Sequence, residues 1–312
     1  MDRKIILLIT ANVVLAAILG VIIGMYLKSG QEDCLRDDDP YGQLRVKVAS
    51  LADSLDAIAG VAVIFDNGDT LSYNGDVRFP MLSVFKFHQS LAVCDSLRRA
   101  GMPLSGKVLL TGDDLPENTW SPLRDEYPDG GIFSYSDLLV RTLQQSDNNV
   151  CDFLFRTICS PAGTEEYIRS LGIDDFAVVC DEKTMHDDLS ACYANWSTPR
   201  SAARLLETFY AIRDSDDYTR FIWQTMSGCS TGTGRIPGYI SDQVSRIARK
   251  TGTGDRDASG RIMAVNDMGV VVLPDGRHFC VAVFVTGAGC GMEECEEFIA
   301  AVSQAVLLQE FV

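Results

Sequence analysis

Segments with a β-strand pattern lie near both ends of this chain, and a long helical block separates them. Two short apolar runs at 61–65 and 70–73 flank a turn, and three runs follow much later at 247–253, 261–272 and 278–286. The simplest arrangement joins both groups of strands in one antiparallel sheet with helices packed on it. We therefore predict an α+β fold.

Apolar residues at helical spacing predict eight helices. Their ranges are 42–56, 82–99, 136–145, 149–158, 163–171, 199–212, 217–226 and 292–310. Residues 42–80 and 236–312 are expected to form an α/β lobe, and residues 81–235 an all-helical lobe. A cleft between two such lobes is a common place for a functional site.

The charge of the chain excludes some classes of partner. Its 312 residues carry a formal net charge of −16. Binding of nucleic acid and docking on anionic lipid both need clustered lysine and arginine. We therefore expect no nucleic-acid partner and no attachment to lipid by surface charge.

The ten cysteines favour neither a metal site nor a fixed set of disulfides. An even number of cysteines in an exported chain permits disulfides, but Cys151 and Cys280 lie within apolar runs, where a free cysteine behaves as a small hydrophobe. No two cysteines are separated by two residues, as in a C-x-x-C motif, and only three histidines occur. The sequence therefore predicts no zinc site and no other metal.

An apolar run from Ile5 to Leu27 is long enough to cross a membrane as a helix. We favour an uncleaved signal-anchor within residues 1–30 over a long cleaved signal peptide, because no small-residue cleavage pattern follows the run. Residues 31–41 are acidic, contain Pro40 and are predicted to be a linker.

A serine and a lysine stand three residues apart at the start of the predicted long helix. Ser83 and Lys86 would lie on one helix face, where the lysine can hold or accept the proton of a serine nucleophile. This short pattern also arises by chance as a surface pair, so alone it carries little weight.

A second motif, Ser146-Asp147-Asn148, lies between two predicted helices. Serine, aspartate and asparagine are preferred helix caps, and capping is the simpler explanation. In a catalytic role, Ser146 would relay a proton to a leaving nitrogen, and Asn148 would bind a substrate amide and Lys86.

A third motif, Lys250-Thr251-Gly252-Thr253, follows a strand pattern. Glycine in a strand often marks the close approach of a ligand or another backbone, although an ordinary edge strand is an alternative. Lys250 would bind a substrate carboxylate. The backbone N–H groups of Thr253 and Ser83 would form an oxyanion hole.

Together these motifs resemble the class A serine β-lactamases over residues 42–312. Glu182 lies between the second and third motifs at the distance typical of that family. The resemblance implies that Ser83 attacks the β-lactam carbonyl, and that Lys86 or Glu182 (through a water) accepts its proton. It also implies that Ser146 protonates the ring nitrogen and that Glu182 activates the water that hydrolyses the acyl-enzyme.

Further residues resemble the PER and CfxA type of class A enzymes, which are often cephalosporinases. His186 stands where most of the family has asparagine, and its role in positioning water is an expectation from that subgroup. By the same resemblance Trp120 borders the substrate entrance, and Arg235 helps to bind the substrate carboxylate. A periplasmic monomer without a cofactor is expected, and residues 5–27 would tether it to the inner membrane if they are not cleaved.

Two alternatives share the three motifs. A membrane-anchored penicillin-binding D-Ala-D-Ala peptidase would lack the deacylating carboxylate, so Glu182 argues against it. A β-lactam sensor that stays acylated would need a signalling domain, and only four residues precede the apolar run.

Overall fold

The structure, a computed structural model, describes residues 39–310. The predicted segment 1–30, with its apolar run 5–27, and all but the last three residues of the predicted linker 31–41 lie outside that range. Among the described residues, no helix combines the length and the apolar character needed to cross a membrane.

The described residues form ten α-helices and ten strands. The helices are α1 (Gly42–Asp53), α2 (Phe85–Arg99), α3 (Pro122–Glu126), α4 (Tyr135–Gln144), α5 (Asn148–Thr157), α6 (Pro161–Ser170), α7 (Glu182–Asp187), α8 (Pro199–Ile212), α9 (Asp217–Met226) and α10 (Met292–Gln309). The strands are β1 (Ile58–Phe65), β2 (Thr70–Tyr73), β3 (Phe79–Pro80), β4 (Lys107–Thr111), β5 (Gly130–Ser134), β6 (Phe176–Ala177), β7 (Trp196–Ser197), β8 (Arg246–Thr253), β9 (Ile262–Val272) and β10 (His278–Ala288).

The main sheet joins strands from both ends of the described chain. Its order is β2-β1-β10-β9-β8, and every neighbouring pair is antiparallel. Ile58 at the start of β1 pairs with Thr286 near the end of β10. Strands β9 and β10 are buried along nearly their whole length, and α8 and α10 pack on the sheet. The predicted α+β fold is confirmed.

Helix α2 is the centre of the helical block. Twelve of its fifteen residues are buried, and α4, α5, α6 and α9 contact it. The rings of Phe85 and Phe155 stack with 5.7 Å between their centroids. A helix that is buried on all sides is positioned by the core itself, so side chains at its first turn have little freedom to move.

The structure differs from the prediction at three places. Two short helices, α3 and α7, were not predicted. The ribbon of β4 and β5 and the short strands β3, β6 and β7 were not predicted, because they are short or lack an alternating pattern. The long helix begins at Phe85 rather than Leu82, after a 3₁₀ turn over Leu82–Val84. The φ angle of Leu82 is +46°, which is incompatible with an α-helix. The lobe boundaries at 80–81 and 235–236 stay a prediction.

Candidate active site

The 3₁₀ turn and the first turn of α2 bring Ser83 and Lys86 together. Lys86 is fully buried, and its Nζ donates to the backbone carbonyl of Ser146 at 2.8 Å and to Oδ1 of Asn148 at 2.5 Å. The same nitrogen forms an ion pair with Oε1 of Glu182 at 2.8 Å. Because all three partners are acceptors, the geometry suits a charged ammonium at the centre of the site.

A second buried lysine approaches the site from β8. Lys250 Nζ donates to Oγ of Ser146 at 3.0 Å and to the carbonyl of Thr251 at 2.8 Å. Burial lowers the pKa of Lys250 to about 7, and the positive charge of Lys86 acts in the same direction. The Lys250 ammonium can therefore lose its proton near neutral pH.

The turn between α4 and α5 is fixed by Asp147. Its carboxylate accepts hydrogen bonds from the N–H of Val150 at 3.0 Å, the N–H of Leu123 at 2.8 Å and the hydroxyl of Ser121 at 2.9 Å. Asp147 is thus the helix cap, while Ser146, at a φ of +61°, turns its side chain toward Lys250. The capping and catalytic interpretations of this motif are compatible, because Asp147 caps the helix and Ser146 faces the site.

Gly252 lets strand β8 lie against the turn that carries Ser83. A Cβ atom at position 252 would lie 2.3 Å from the carbonyl oxygen of Met81 and 3.2 Å from the backbone nitrogen of Val84. Real Cβ atoms do not approach a carbonyl oxygen so closely. Only glycine therefore permits the contact that brings the third motif beside the first.

These elements enclose a cavity of about 310 Å³. Its walls are formed by Ser83, Trp120, Ser146, Asn148, Thr231, Thr251 and Thr253. The Trp120 side chain is 60% exposed, and its indole N–H donates to the carbonyl of Gln145 at 2.8 Å. That hydrogen bond holds the indole ring at the rim of the cavity.

Thr231 also lines the cavity, and the sequence analysis missed it. Its hydroxyl lies 2.5 Å from that of Thr251.

Glu182 lies at the first position of the short helix α7. Its Oε1 is 3.4 Å from Oγ of Ser83, and its side chain is largely buried. Asp152 of α5 accepts hydrogen bonds from the backbone N–H groups of Glu182 at 2.7 Å and Lys183 at 2.8 Å. Burial raises the pKa of Asp152 to about 7. No sequence motif identified Asp152, although it fixes the backbone that carries Glu182.

A buried asparagine closes the segment that contains α7. Oδ1 of Asn195 accepts the N–H groups of Val179 at 2.8 Å and Cys180 at 2.9 Å, and its Nδ2 donates to the carbonyl of Cys180 at 2.9 Å. The two ends of the segment are thereby held together, and α7 projects Glu182 toward Ser83.

Arg235 is buried against strands β8 and β9 and does not line the cavity. Its guanidinium donates to the carbonyls of Gly252 at 3.1 Å and Asn266 at 2.9 Å, and to the hydroxyl of Thr253 at 2.7 Å. Glu296 balances its charge at 3.0 Å. In this geometry Arg235 orients the end of β8.

His186 does not line the cavity. It lies in the last turn of α7 and is exposed to solvent. The other predicted site residues, namely Ser83, Lys86, Ser146, Asn148, Glu182, Lys250, Thr251, Gly252, Thr253 and Trp120, lie in or directly around one cleft.

Comparison with known proteins identifies the family. The model of the β-lactamase enzyme family matches residues 43–311. A β-lactamase of Bacteroides uniformis is 38% identical over 85% of this chain and 90% of its own length. The extended-spectrum β-lactamase PER-1 of Pseudomonas aeruginosa is 35% identical over 84% of this chain and 85% of its own.

A solved structure agrees. The class A β-lactamase of Bacteroides cellulosilyticus has a TM-score of 0.83 and 34% identity, and the match covers 87% of this chain and 98% of that one. The chain belongs to the β-lactamase enzyme family as a class A member, and it is an enzyme that hydrolyses β-lactam antibiotics.

Proposed function

We propose that hydrolysis proceeds through a covalent acyl-enzyme on Ser83 and that cephalosporins and penicillins are substrates. The observation that carries this proposal is the convergence of Ser83, Lys86 and Glu182. One carboxylate oxygen lies 3.4 Å from the serine hydroxyl and 2.8 Å from the lysine nitrogen. A nucleophile within reach of a base that is itself held by a third group is the arrangement that acyl transfer needs.

In the acylation step Ser83 Oγ forms a bond to the β-lactam carbonyl carbon and loses its proton. Lys86, or Glu182 through one water, accepts that proton, and the lysine nitrogen and the carboxylate are in contact at 2.8 Å. The carbonyl oxygen becomes negative, and the backbone N–H groups of Ser83 and Thr253 stabilise it.

Collapse of this intermediate breaks the bond between the carbonyl carbon and the ring nitrogen. The nitrogen takes a proton from the hydroxyl of Ser146, and Lys250 donates a hydrogen bond to that hydroxyl at 3.0 Å. A charged Lys250 stabilises the Ser146 alkoxide. The proton taken from Ser83 passes through Lys86, whose nitrogen contacts both Glu182 and Ser146, to that alkoxide, so Glu182 is a carboxylate again before deacylation. Ser146 is therefore the general acid in this proposal.

Deacylation requires a water placed between Glu182 and the ester. Glu182 removes a proton from that water, the hydroxide adds to the ester carbonyl, and Ser83 leaves with a proton. No comparable carboxylate would be needed by a peptidase or a sensor that keeps its acyl group. The proposal therefore gives Glu182 the role that separates hydrolysis from lasting acylation.

Substrate binding is assigned to β8 and the cavity wall. Thr251 and Thr253 offer hydroxyls to a substrate carboxylate beside the Lys250 ammonium, and Asn148 offers its amide to the substrate side chain. Arg235 contributes by holding the hydroxyl of Thr253 at 2.7 Å. The extended-spectrum β-lactamase PER-1 among its relatives supports a broad range of β-lactam substrates.

The enzyme is proposed to act in the periplasm. The apolar run 5–27 would direct export, and if it stays uncleaved it would tether the enzyme to the inner membrane. Activity that appears in the soluble periplasmic fraction of fractionated cells would overturn the tether.

The central test follows a chromogenic cephalosporin with the purified full chain over many turnovers, with Ser83→Ala as control. We expect steady hydrolysis by the natural chain and none by the variant. A single burst equal to the amount of enzyme, without further turnover, would contradict the proposed hydrolytic cycle.

A further inference from the structure

Three metal-donor side chains meet on the part of the sheet that α8 covers, and none of them lines the active cavity. Glu207 lies on α8, and His278 and Cys280 lie on β10; their donor atoms are all within 4.8 Å of one another. Oε2 of Glu207 is 2.9 Å from Nε2 of His278 and 3.2 Å from Sγ of Cys280.

The fold holds these donors on rigid elements. Residues 278 and 280 are two apart on a strand, so their side chains share one face of the sheet. Glu207 reaches that face from the middle of α8, and the ring of Tyr210, one turn later, lies 4.0 Å from the ring of His278. The donors therefore need no backbone movement to act together.

Asp66, which follows β1, fixes the orientation of the histidine. Its Oδ1 lies 2.6 Å from Nδ1 of His278. When Nδ1 donates to this carboxylate, Nε2 is the nitrogen directed at the other two donors, and it can bind a metal once its proton has left. Metal-ligating histidines almost always have such a partner on their second nitrogen.

The donor set indicates which metal fits. A thiolate, an imidazole and a carboxylate are typical zinc ligands, whereas calcium and magnesium prefer oxygen alone. Ligand bonds of roughly 2.0–2.3 Å in a tetrahedral site would place the donors about 3.3–3.6 Å apart, a few tenths of an ångström wider than the two close distances here. One thiolate and one carboxylate would neutralise a divalent ion.

We propose that Glu207, His278 and Cys280 bind one zinc ion, that Asp66 orients His278, and that a water completes the tetrahedron. The thiol proton of Cys280 and the Nε2 proton of His278 leave to solvent when the sulfur–zinc and nitrogen–zinc bonds form, and no electron is transferred. Three protein ligands with an open fourth position would allow the ion to exchange.

A cavity beside Glu207 gives an ion access to the proposed site. Glu207 also lines a cavity of about 480 Å³ between α8 and the β1–β2 edge of the sheet, whose walls include Thr70, Leu71 and Arg204. Cys280 is fully buried and His278 nearly so, while Glu207 is partly exposed. The ion would therefore meet the carboxylate first and then the two buried donors.

A zinc site here departs from the sequence analysis, which predicts no zinc site and no other metal. Cys280 and Glu207 are 73 residues apart, and only the packing of α8 on β10 joins them. Without an ion, the same side chains form a hydrogen-bonded network in which Glu207 accepts from both neighbours. The experiment must separate that network from a true metal site.

The test uses the purified full chain after removal of metals with a chelator. Titration with Co²⁺ is expected to produce a thiolate-to-cobalt charge-transfer band and a tetrahedral visible spectrum, which saturate at one equivalent and disappear when Zn²⁺ is added. Absence of saturable binding, or a cobalt spectrum without the thiolate band, would overturn the proposal on the natural chain alone.

Variants identify the ligands. Cys280→Ser and His278→Gln should abolish the thiolate band and the one-equivalent Zn²⁺ binding, respectively, and Asp66→Asn should weaken zinc binding roughly 10- to 100-fold. Cys290→Ala is the matched control, because Cys290 lies in a different sulfur pair, 3.6 Å from Cys295. Loss of the band in Cys290→Ala with retention in Cys280→Ser would place the metal elsewhere and refute the proposed site.

Discussion

The two halves of the active site are built in different ways. The nucleophile side, with Ser83 and Lys86, lies at the start of α2, a fifteen-residue helix buried among its neighbours. The carboxylate side, with Glu182, lies on α7, which has only six residues and is mostly exposed. Core packing fixes the first side, whereas a few hydrogen bonds that Asp152 and Asn195 accept from backbone N–H groups fix the second.

This difference suggests that the two chemical steps are separable. Acylation can proceed with Ser83 and Lys86, which cannot move without disturbing the core. Deacylation depends on a carboxylate whose support consists of individual hydrogen bonds, each worth about 0.5–1.5 kcal/mol. Substitutions in the carboxylate side should therefore slow hydrolysis of the acyl-enzyme while the fold stays intact.

The largest effect is expected for Glu182→Gln. Loss of the general base should slow deacylation by roughly 10²- to 10⁴-fold, so that a covalent adduct accumulates on Ser83. Mass spectrometry of the intact protein after mixing with a cephalosporin measures this adduct. Glu166→Gln, at an exposed position of α6, is the control; an unchanged rate without adduct in Glu182→Gln would remove Glu182 from the mechanism.

A smaller effect is expected for Asp152→Ala. The backbone N–H groups of Glu182 and Lys183 lose their acceptor, and Glu182 loses its position, so deacylation should slow about tenfold to a hundredfold. Because burial raises the pKa of Asp152 to about 7, the carboxylate itself is costly in the folded state. The free energy of unfolding should therefore change little, and Asp152→Asn, which keeps one acceptor, should be intermediate.

Urea unfolding and pre-steady-state kinetics distinguish the two consequences of removing Asp152. Equal losses of stability and activity would show that Asp152 stabilises the whole fold rather than the position of Glu182. The contrast between the two sides of the active site would then be wrong.

On the nucleophile side, Gly252→Ala should lower both the stability of the fold and the rate of acylation. The added methyl group would lie 2.3 Å from the carbonyl oxygen of Met81, so β8 and the 3₁₀ turn must separate. We expect a loss of roughly 1–3 kcal/mol in the free energy of unfolding together with slower acylation. Gly112→Ala is the matched control, since no atom lies closer than 3.5 Å to its added Cβ; equal stability of the two variants would contradict the expected clash.

The smallest effect concerns pH. Since burial lowers the pKa of Lys250 to about 7, the ammonium loses its proton as the pH rises through neutrality, and attraction for the substrate carboxylate is lost. KM should rise up to about tenfold per pH unit above that pKa. In Lys250→Arg the charge persists, and KM should stay flat; a KM of the natural chain that does not vary with pH would exclude titration of Lys250.

The long, strongly periodic elements were predictable from sequence. Helices α8 and α9 have the bounds that their apolar spacing predicts, because each presents one apolar face to the core. The joined sheet was also predictable, since strands at both ends left few other ways to bury their apolar side chains. The α+β class followed from these two observations.

What sequence reasoning missed depends on contacts between distant residues. Asp152 lies 30 residues from Glu182, and Thr231 lies 20 residues from Thr251. Neither belongs to a motif, and each acquires its role only when two elements pack. The ribbon of β4 and β5 was missed because its short strands pair only with each other.

The pairing of β1 with β10 also has a consequence for how the chain folds. The last strand to be synthesised inserts between β1 and β9, so the first hairpin has an unpaired edge until nearly the whole chain is available. Contacts between such distant segments raise the contact order and slow folding. An exposed strand edge can pair with other chains during that interval. We therefore expect overproduction to be limited by aggregation of the nascent chain rather than by the stability of the finished enzyme.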